Sequence, residues 1–437
     1  MTENKIIRGF SKLTRTEKIN WLIQEMNLDK STAAFLDSFE PDNSEIQSII
    51  ADLSENQISN YHLPFTVAPN FLIDGKLLTF PLVTEESSVV AALSKAAGFW
   101  AKRGGFHTNI IGTKKTGQVH FKWKGNPEKL QKIFPDIRIQ LLKETAPLTQ
   151  NMEKRGGGIR KVELKYLPDI HPDYYQIDVS FETRDAMGAN FINSCLEQMG
   201  KTLRSFIENS DLFKKEEKEI EIIMAILSNY VPGSRVKVWV ECPLDDLTEN
   251  PQQAKKFAQK FALAVHIARN DVSRAVTHNK GIFNGMDALA VATGNDYRAI
   301  EAGAHAYASK DGQYRGLSNA RIENNRFRFE MEIPLAVGVV GGVTALHPLA
   351  KLAMKILQHP SAPELMSYIA TAGLASNWSA VNALVTSGIQ KGHMKMHLGN
   401  ILSQFNLSDE QKTAAKAWFS DKKVSYSAVQ KYLENHD

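Results

Sequence analysis

The stretch that most limits the fold is 175–182. Tyr175, Ile177, Val179 and Phe181 alternate without a break with Gln176, Asp178, Ser180 and Glu182. A period of two puts every apolar side chain on one face of a strand, and an antiparallel sheet covered on one side accommodates that pattern. The strand runs into a turn of small residues, 184–190. A helix over about 189–207 then carries Ile192, Cys195, Leu196, Met199 and Leu203 on one stripe. Shorter alternations at 119–123 and 162–166 supply partner strands. Residues 113–228 therefore read as a compact α+β module of strands and two helices. The GxGxxG spacing of a Rossmann fold is absent.

Helical signals dominate elsewhere. Thr14 and Glu17 fit a capping box ahead of Ile19, Leu22, Ile23 and Met26. An Ala-rich buried helix is expected over 87–101, ended by Gly104-Gly105. Residues 252–309 and 361–387 read as mostly helical. Val236, Val238 and Val240 mark one strand, and Phe327, Phe329, Met331 and Ile333 another. The last fifty residues read as short polar helices in a small tail domain. At ~150 residues per domain, 437 residues suggest two to three domains.

Composition excludes several classes. A net charge of +4 with no basic, aromatic stripe argues against nucleic-acid binding. No apolar run approaches the ~18 residues of a membrane span, and 1–9 lacks a signal-peptide core. Two cysteines exclude a disulfide framework and fit a reducing, cytoplasmic setting. No Cys/His cluster suggests a metal.

Five segments set polar residues among small ones, where a backbone can approach a ligand closely. Thr84-Glu85-Glu86-Ser87-Ser88 precedes the Ala-rich helix; it either caps that helix or supplies a proton from a partly buried carboxyl. Thr277-His278-Asn279-Lys280-Gly281 reads as a small turn whose lysine either faces solvent or meets a developing oxyanion. In Thr293-Gly294-Asn295-Asp296, an N-cap is the plainer reading, and an acid that sets the charge of Lys280 the sharper one. His393, in 388–394, is a surface residue or a proton donor to a leaving group. The 184–190 turn opens a helix, as an anion site for a cofactor diphosphate does. Arg155-Gly156-Gly157-Gly158 offers a second close-approach turn or a flexible hairpin.

Read together, these segments resemble the class II 3-hydroxy-3-methylglutaryl-coenzyme A (HMG-CoA) reductases, the soluble bacterial form. Glu85-Glu86 with 89–92 is similar to that family's acidic motif, and 185–190 to its DAMGAN signature. Residues 274–285 resemble the stretch with the family's lysine, and 293–296 with 301–306 its aspartate region. Gly392-His393-Met394 resembles its histidine motif. The order holds along nearly the whole chain.

The resemblance implies an α+β homodimer with shared active sites. A large, mostly helical domain (1–112 and 229–387) would bind HMG-CoA and dimerise. An inserted non-Rossmann domain (113–228) would bind the cofactor, and a small helical flap (388–437) would close the site. It implies two successive hydride transfers to the thioester, giving mevalonate and CoA. Lys280 would stabilise the oxyanion, Asp296 hold Lys280 charged, His393 protonate the CoA thiolate and Glu86 protonate the aldehyde oxygen. Ser88 and Arg274 would grip the HMG carboxylate, Asn284 support Lys280, and Asn229 complete the substrate site. Asp185, Met187, Gly188 and Asn190 would bind the cofactor.

The chain departs from the family at Ser87 (usually Pro), at Ser59 (the last Gly of an ENVIG segment) and at Ser376 (Gln of an AQN triplet). Relatives that oxidise mevalonate with NAD carry an acid shortly before the GGG turn. Counting back from Gly156 puts that position near Thr149, which is neutral, with Lys143, Lys154 and Arg155 close by. An acid there would repel a 2′-phosphate. The expectation is NADPH and mevalonate synthesis, with NADH as the alternative cofactor. The rivals are NAD-dependent mevalonate breakdown and a catalytically silent binder of CoA compounds.

Overall fold

The computed structural model describes residues 6–386 apart from 249, and 398–436 apart from 400, 420, 421 and 423. Among these described residues, helices and three antiparallel sheets mix along the chain. Helices α1 (Arg15–Glu25), α2 (Thr32–Asp37) and α3 (Ser44–Ala51) come first, and the Thr14–Glu17 capping box opens α1 as expected. Ser59 donates to the Leu36 carbonyl of α2, so a side-chain bond holds the segment where the resemblance leads one to expect glycine. A hairpin of β1 (Phe65–Ile73) and β2 (Lys76–Val83) follows, then α4 (Val89–Ala101) and β3 (His107–Thr113).

The module centred on 175–182 is a four-stranded sheet. Its strands are β4 (Lys115–Trp123), β5 (Gly158–Tyr166), β6 (Tyr174–Glu182) and β7 (Ile220–Ser228), in the order β5-β6-β4-β7. Tyr175, Ile177, Val179 and Phe181 are all buried and their alternates are not, as the period of two requires. Helices α5 (Pro127–Glu153) and α6 (Ala189–Asn209) cover that face. Ile137 and Leu141 from α5 meet Cys195, Leu196 and Met199 from α6 over the strands, in a core of their own.

A second, larger core surrounds the sheet β3-β8-β10-β9, with β8 (Ser234–Pro243), β9 (Ser318–Glu323) and β10 (Arg326–Pro334). Around it lie α7 (Pro251–Asn270), α8 (Val272–Ala292), α9 (Tyr297–Ala308), α10 (Gly342–Leu346), α11 (Pro348–Ile356) and α12 (Ala362–Val385). The long helix α12 is buried over most of its length and packs on α4, α7 and α8. Small residues allow this closeness: a Cβ on Gly285 of α8 would sit 2.3 Å from the Ala372 carbonyl oxygen of α12. Gly285→Ala is therefore expected to destabilise the protein by about 1–3 kcal/mol, because the overlap with backbone outweighs alanine's better helix propensity. Urea unfolding of the variant beside the parent checks this.

A third core joins Leu398, Ile401 and Leu402 to the helices Asp409–Trp418 and Tyr426–Glu434. Among the described residues, no helix is long and apolar enough to cross a membrane.

Candidate active site

A cavity of about 430 Å³ opens where α4, α8 and α12 meet, a size suited to a small-molecule ligand. Arg274, Thr277, Lys280, Gly281 and Asn284 of α8 line it, at the three- and four-residue spacings that share one helical face. The expectation of a turn at 277–281 is thus corrected: the segment lies inside α8. Asp271 caps α8 by accepting the Arg274 N–H at 2.6 Å, and Gly281 lies beside Asn377 and Ala380 of α12. His278 faces the core, where its Nε2 lies 2.6 Å from Ser318 Oγ and burial pushes its pKa down to about 3. It is a neutral packing residue.

Opposite α8, the 84–88 segment contributes Glu86 and Ser88. Glu86 and Lys280 form a direct ion pair across the cavity. The Glu86 N–H donates to Thr84 Oγ1 at 3.2 Å, holding the segment before the helix. Ser88, at the N-cap of α4, has φ +76°. Such a conformation costs a non-glycine residue roughly 1–3 kcal/mol and clusters at functional sites. Arg274 is half-buried and lies in no ion pair among the described residues, so its guanidinium is available to an anion. Ser376 lines the cavity but donates to the Gly281 carbonyl at 2.7 Å, tying α12 to α8. One chain therefore brings together Glu86, Ser88, Arg274, Lys280 and Asn284.

A second cluster gathers at the far end of α8. Asp296 caps α9, accepting the Ala299 N–H at 3.1 Å, and pairs with Arg298 at 3.4 Å. The N-cap reading of this residue holds. Lys280 pairs with Glu86 instead, so the expected Asp296–Lys280 contact is not made within one chain. Asn295 accepts the Gly338 N–H at 2.9 Å. A Cβ on Gly338 would lie 2.3 Å from the Met187 nitrogen, so the 184–188 turn rests directly on this loop. The Asp185 carbonyl accepts the Val339 N–H at 2.8 Å, and its carboxylate accepts the Ala362 N–H at the start of α12 at 2.9 Å. Gly188 takes φ +89° at the N-cap of α6, and a Cβ there would strike Thr183 at 2.5 Å. Asn190 is exposed in the first turn of α6. Asn229 is exposed just after β7, its carbonyl against Gly303 of α9.

The two glycine turns meet: a Cβ on Gly156 would lie 2.5 Å from the Arg184 guanidinium. Thr149 does not reach this surface, a correction to its placement beside the cofactor. It is 2% exposed inside α5, and its hydroxyl donates to Glu153 at 2.7 Å. Counting through the sequence missed that α5 continues to Glu153, which turns Thr149 toward the core. His393 and the 388–394 motif lie outside the described residues.

Asp287 escaped the sequence reading. It lies seven residues after Lys280, on the face that carries Asn284, and lines a neighbouring cavity with Glu85, Glu86 and Tyr297. Burial, with Glu301 and Glu85 nearby, holds its carboxyl well above the usual range. Its buried Oδ1 meets no donor. The 280/284/287 spacing was the signal that could have found it, once 277–281 is known to be helical.

Comparisons with known proteins point to one family. The family model for hydroxymethylglutaryl-coenzyme A reductase matches residues 16–398. The chain is 34% identical to the 3-hydroxy-3-methylglutaryl-coenzyme A reductase of Archaeoglobus fulgidus over 436 residues, covering 98% of this chain and 94% of that one. It is similar to a solved structure of the Streptococcus pneumoniae reductase, with a TM-score of 0.74 at 36% identity, covering 98% and 99% of the two chains. A class II structure from the same organism, described as bound to NADPH in open conformations, aligns with a TM-score of 0.73 at 36% identity, covering 87% and 99%. With a family model matched over residues 16–398 and a 34% identical relative aligned over 98% of its length, this chain belongs to the hydroxymethylglutaryl-coenzyme A reductase family.

Proposed function

We propose that this protein reduces HMG-CoA to mevalonate and CoA with two NADPH, and that a homodimer completes each active site. The Lys280–Glu86 pair on the wall of the α8 cavity carries this reading, because thioester reduction needs a cation for the oxyanion and an acid beside it. The balanced reaction consumes HMG-CoA, two NADPH and two protons, and yields mevalonate, CoA and two NADP⁺. NADPH, when bound, supplies the two hydrides in succession. Arg274 and Ser88 hold the HMG carboxylate, and Asn284 orients the Lys280 ammonium. Lys280 neutralises the oxygen charge formed at each reduction, and Glu86 delivers a proton to the aldehyde oxygen. His393, in the segment that follows α12, protonates the CoA thiolate.

The cofactor reading rests on the residues around the 184–188 turn. Arg184 lies on the GGG turn and Arg160 donates to the Gly156 carbonyl, with Lys154 and Arg155 adjoining. These four basic residues, set against the carboxylates of Glu153, Glu182 and Asp185, suit a 2′-phosphate. The inserted 113–228 domain would hold NADPH, and the 388–437 flap would close over the site. The two buried free cysteines, Cys195 and Cys242, fit a cytoplasmic location.

The dimer reading rests on distance. Twelve residues of α8 separate Lys280 from its end at Ala292, about 18 Å at 1.5 Å per residue, and Asp296 lies beyond. In its own chain Asp296 is engaged by the Ala299 N–H and Arg298, so its Lys280 partner is read as one on a second copy. Exposed Val272, Val276, Val343, Leu346, Leu349 and Leu352 offer apolar surface for that contact.

Mixing the protein with HMG-CoA and either cofactor tests the reading. NADPH is expected to be preferred over NADH by about tenfold or more in kcat/KM. A reversed preference would favour mevalonate breakdown, and no oxidation of either cofactor would favour a silent CoA binder.

A further inference from the structure

The module that carries the 184–190 turn hides a lysine that none of the roles above uses. Lys115, at the start of β4, is only 6% exposed. Removing an ammonium from water costs several kcal/mol, so its partners must justify its place. Those partners belong to the turn. Its Nζ donates to Thr183 Oγ1 and, at 2.7 Å, to the Ala186 carbonyl. Thr183 itself donates to the same carbonyl at 2.6 Å. The turn thus wraps around the ammonium just before α6 begins. On its outer side, the same turn is fastened through Asp185 to Val339 and Ala362.

We propose that Lys115 is a positioning residue for the cofactor: its buried ammonium fixes the 183–186 turn in its binding shape and sets a positive charge behind the α6 N-terminus. The inference rests on the reductase reading and adds a residue to it. A helix N-terminus already favours anions, and a cation beneath it strengthens that preference for a phosphorylated dinucleotide.

The charge is poised to titrate. Burial pushes the Lys115 pKa down to about 8, opposed by Glu182 at the end of β6 and Asp185 in the turn. Arg184 turns away, its guanidinium lying on Gly156. An unfolded lysine titrates near ~10.4. Between about 8 and that value the folded protein has released a proton that the unfolded chain keeps, so fold stability does not fall there on this account. The grip on the cofactor does fall, because the ammonium that holds Ala186 and Thr183 becomes neutral.

The test is NADPH binding to the full chain without substrate, followed by cofactor fluorescence at about pH 7 and about pH 9.5. The 2′-phosphate, with its second ionisation near ~6, keeps its charge across this range. Wild type is expected to bind about tenfold more weakly at the higher pH. Lys115→Met is expected to bind about tenfold more weakly than wild type at pH 7 and to show no further pH dependence. Lys115→Arg, which stays charged, should bind equally at both values. HMG-CoA binding by calorimetry, unchanged in all three, reports that the fold is kept. If Lys115→Met does not fold, the wild-type and Lys115→Arg profiles still decide. A flat wild-type profile, or a Lys115→Met protein with wild-type affinity and pH dependence, overturns the proposal alone. Failure of wild type to bind NADPH at either pH overturns the reductase reading with it.

Discussion

Lys280→Ala is expected to lower kcat for HMG-CoA reduction by about 10²–10³-fold or more while leaving KM for HMG-CoA within a few-fold. The reason is where the charge is needed. Lys280 pairs directly with Glu86 on the cavity wall, and in the proposed reaction hydride arrival at the thioester carbon creates negative charge on the oxygen that Lys280 would neutralise. Alanine removes the only lysine or arginine paired with Glu86 among the described residues. Ground-state binding is expected to survive because Arg274 and Ser88, proposed to hold the far carboxylate, still line the cavity. Steady-state kinetics of the purified variant decide. A kcat within threefold of wild type would mean that another cation meets the oxyanion.

Mixing two inactive variants should restore activity. Lys280→Ala and Asp296→Asn are each expected to be nearly inactive as homodimers. In a mixed dimer with sites shared between subunits, one site inherits both lesions and the other inherits neither. Random exchange makes half the dimers mixed, so about a quarter of wild-type activity should return. If Lys280 and Asp296 served one site within one chain, every site would carry a lesion and none would return. The ~18 Å of α8 beyond Lys280 makes the first outcome the expected one. Activity of the exchanged mixture, with each variant alone as control, separates the two.

Parts of this structure were legible in the sequence where local pattern and burial agree. The alternation in β6 and the stripe on α6 were read correctly because one face of each is buried and the other is wet. The Thr14–Glu17 box was legible because its hydrogen bonds are local. Strand β7 was not, because it lies at the sheet edge with Ile223, Met224 and Ile226 exposed and a register shift opposite His120 and Phe121. Helix α5 hid behind Pro135 and Pro147. Helix α8 lies in a region read as mostly helical, but Gly281 made 277–281 look like a turn, and the meaning of Gly285 appears only when α12 packs against it.

The site shows the same division. Glu86, Ser88, Arg274, Lys280 and Asn284 were found by residue type and order, and they line one cavity. Thr149 was misplaced because a count along the chain does not know which way a helix faces. Lys115 was missed because a buried charge leaves no local pattern, and Asp287 because its 280/284/287 spacing speaks only once 277–281 is known to be helical. Only the three-dimensional neighbours, Glu301 for one and the 183–186 turn for the other, give them meaning.

The most direct test of the central claim is stoichiometry. HMG-CoA and the purified protein would be followed together for NADPH loss at its absorbance band and for free CoA thiol with a disulfide reagent. The proposed four-electron reduction predicts about two NADPH oxidised for each thiol released, with mevalonate as the product. One NADPH per thiol would mean that reduction stops at the aldehyde. Thiol release without NADPH loss would mean thioester hydrolysis. Either result contradicts the reductase account.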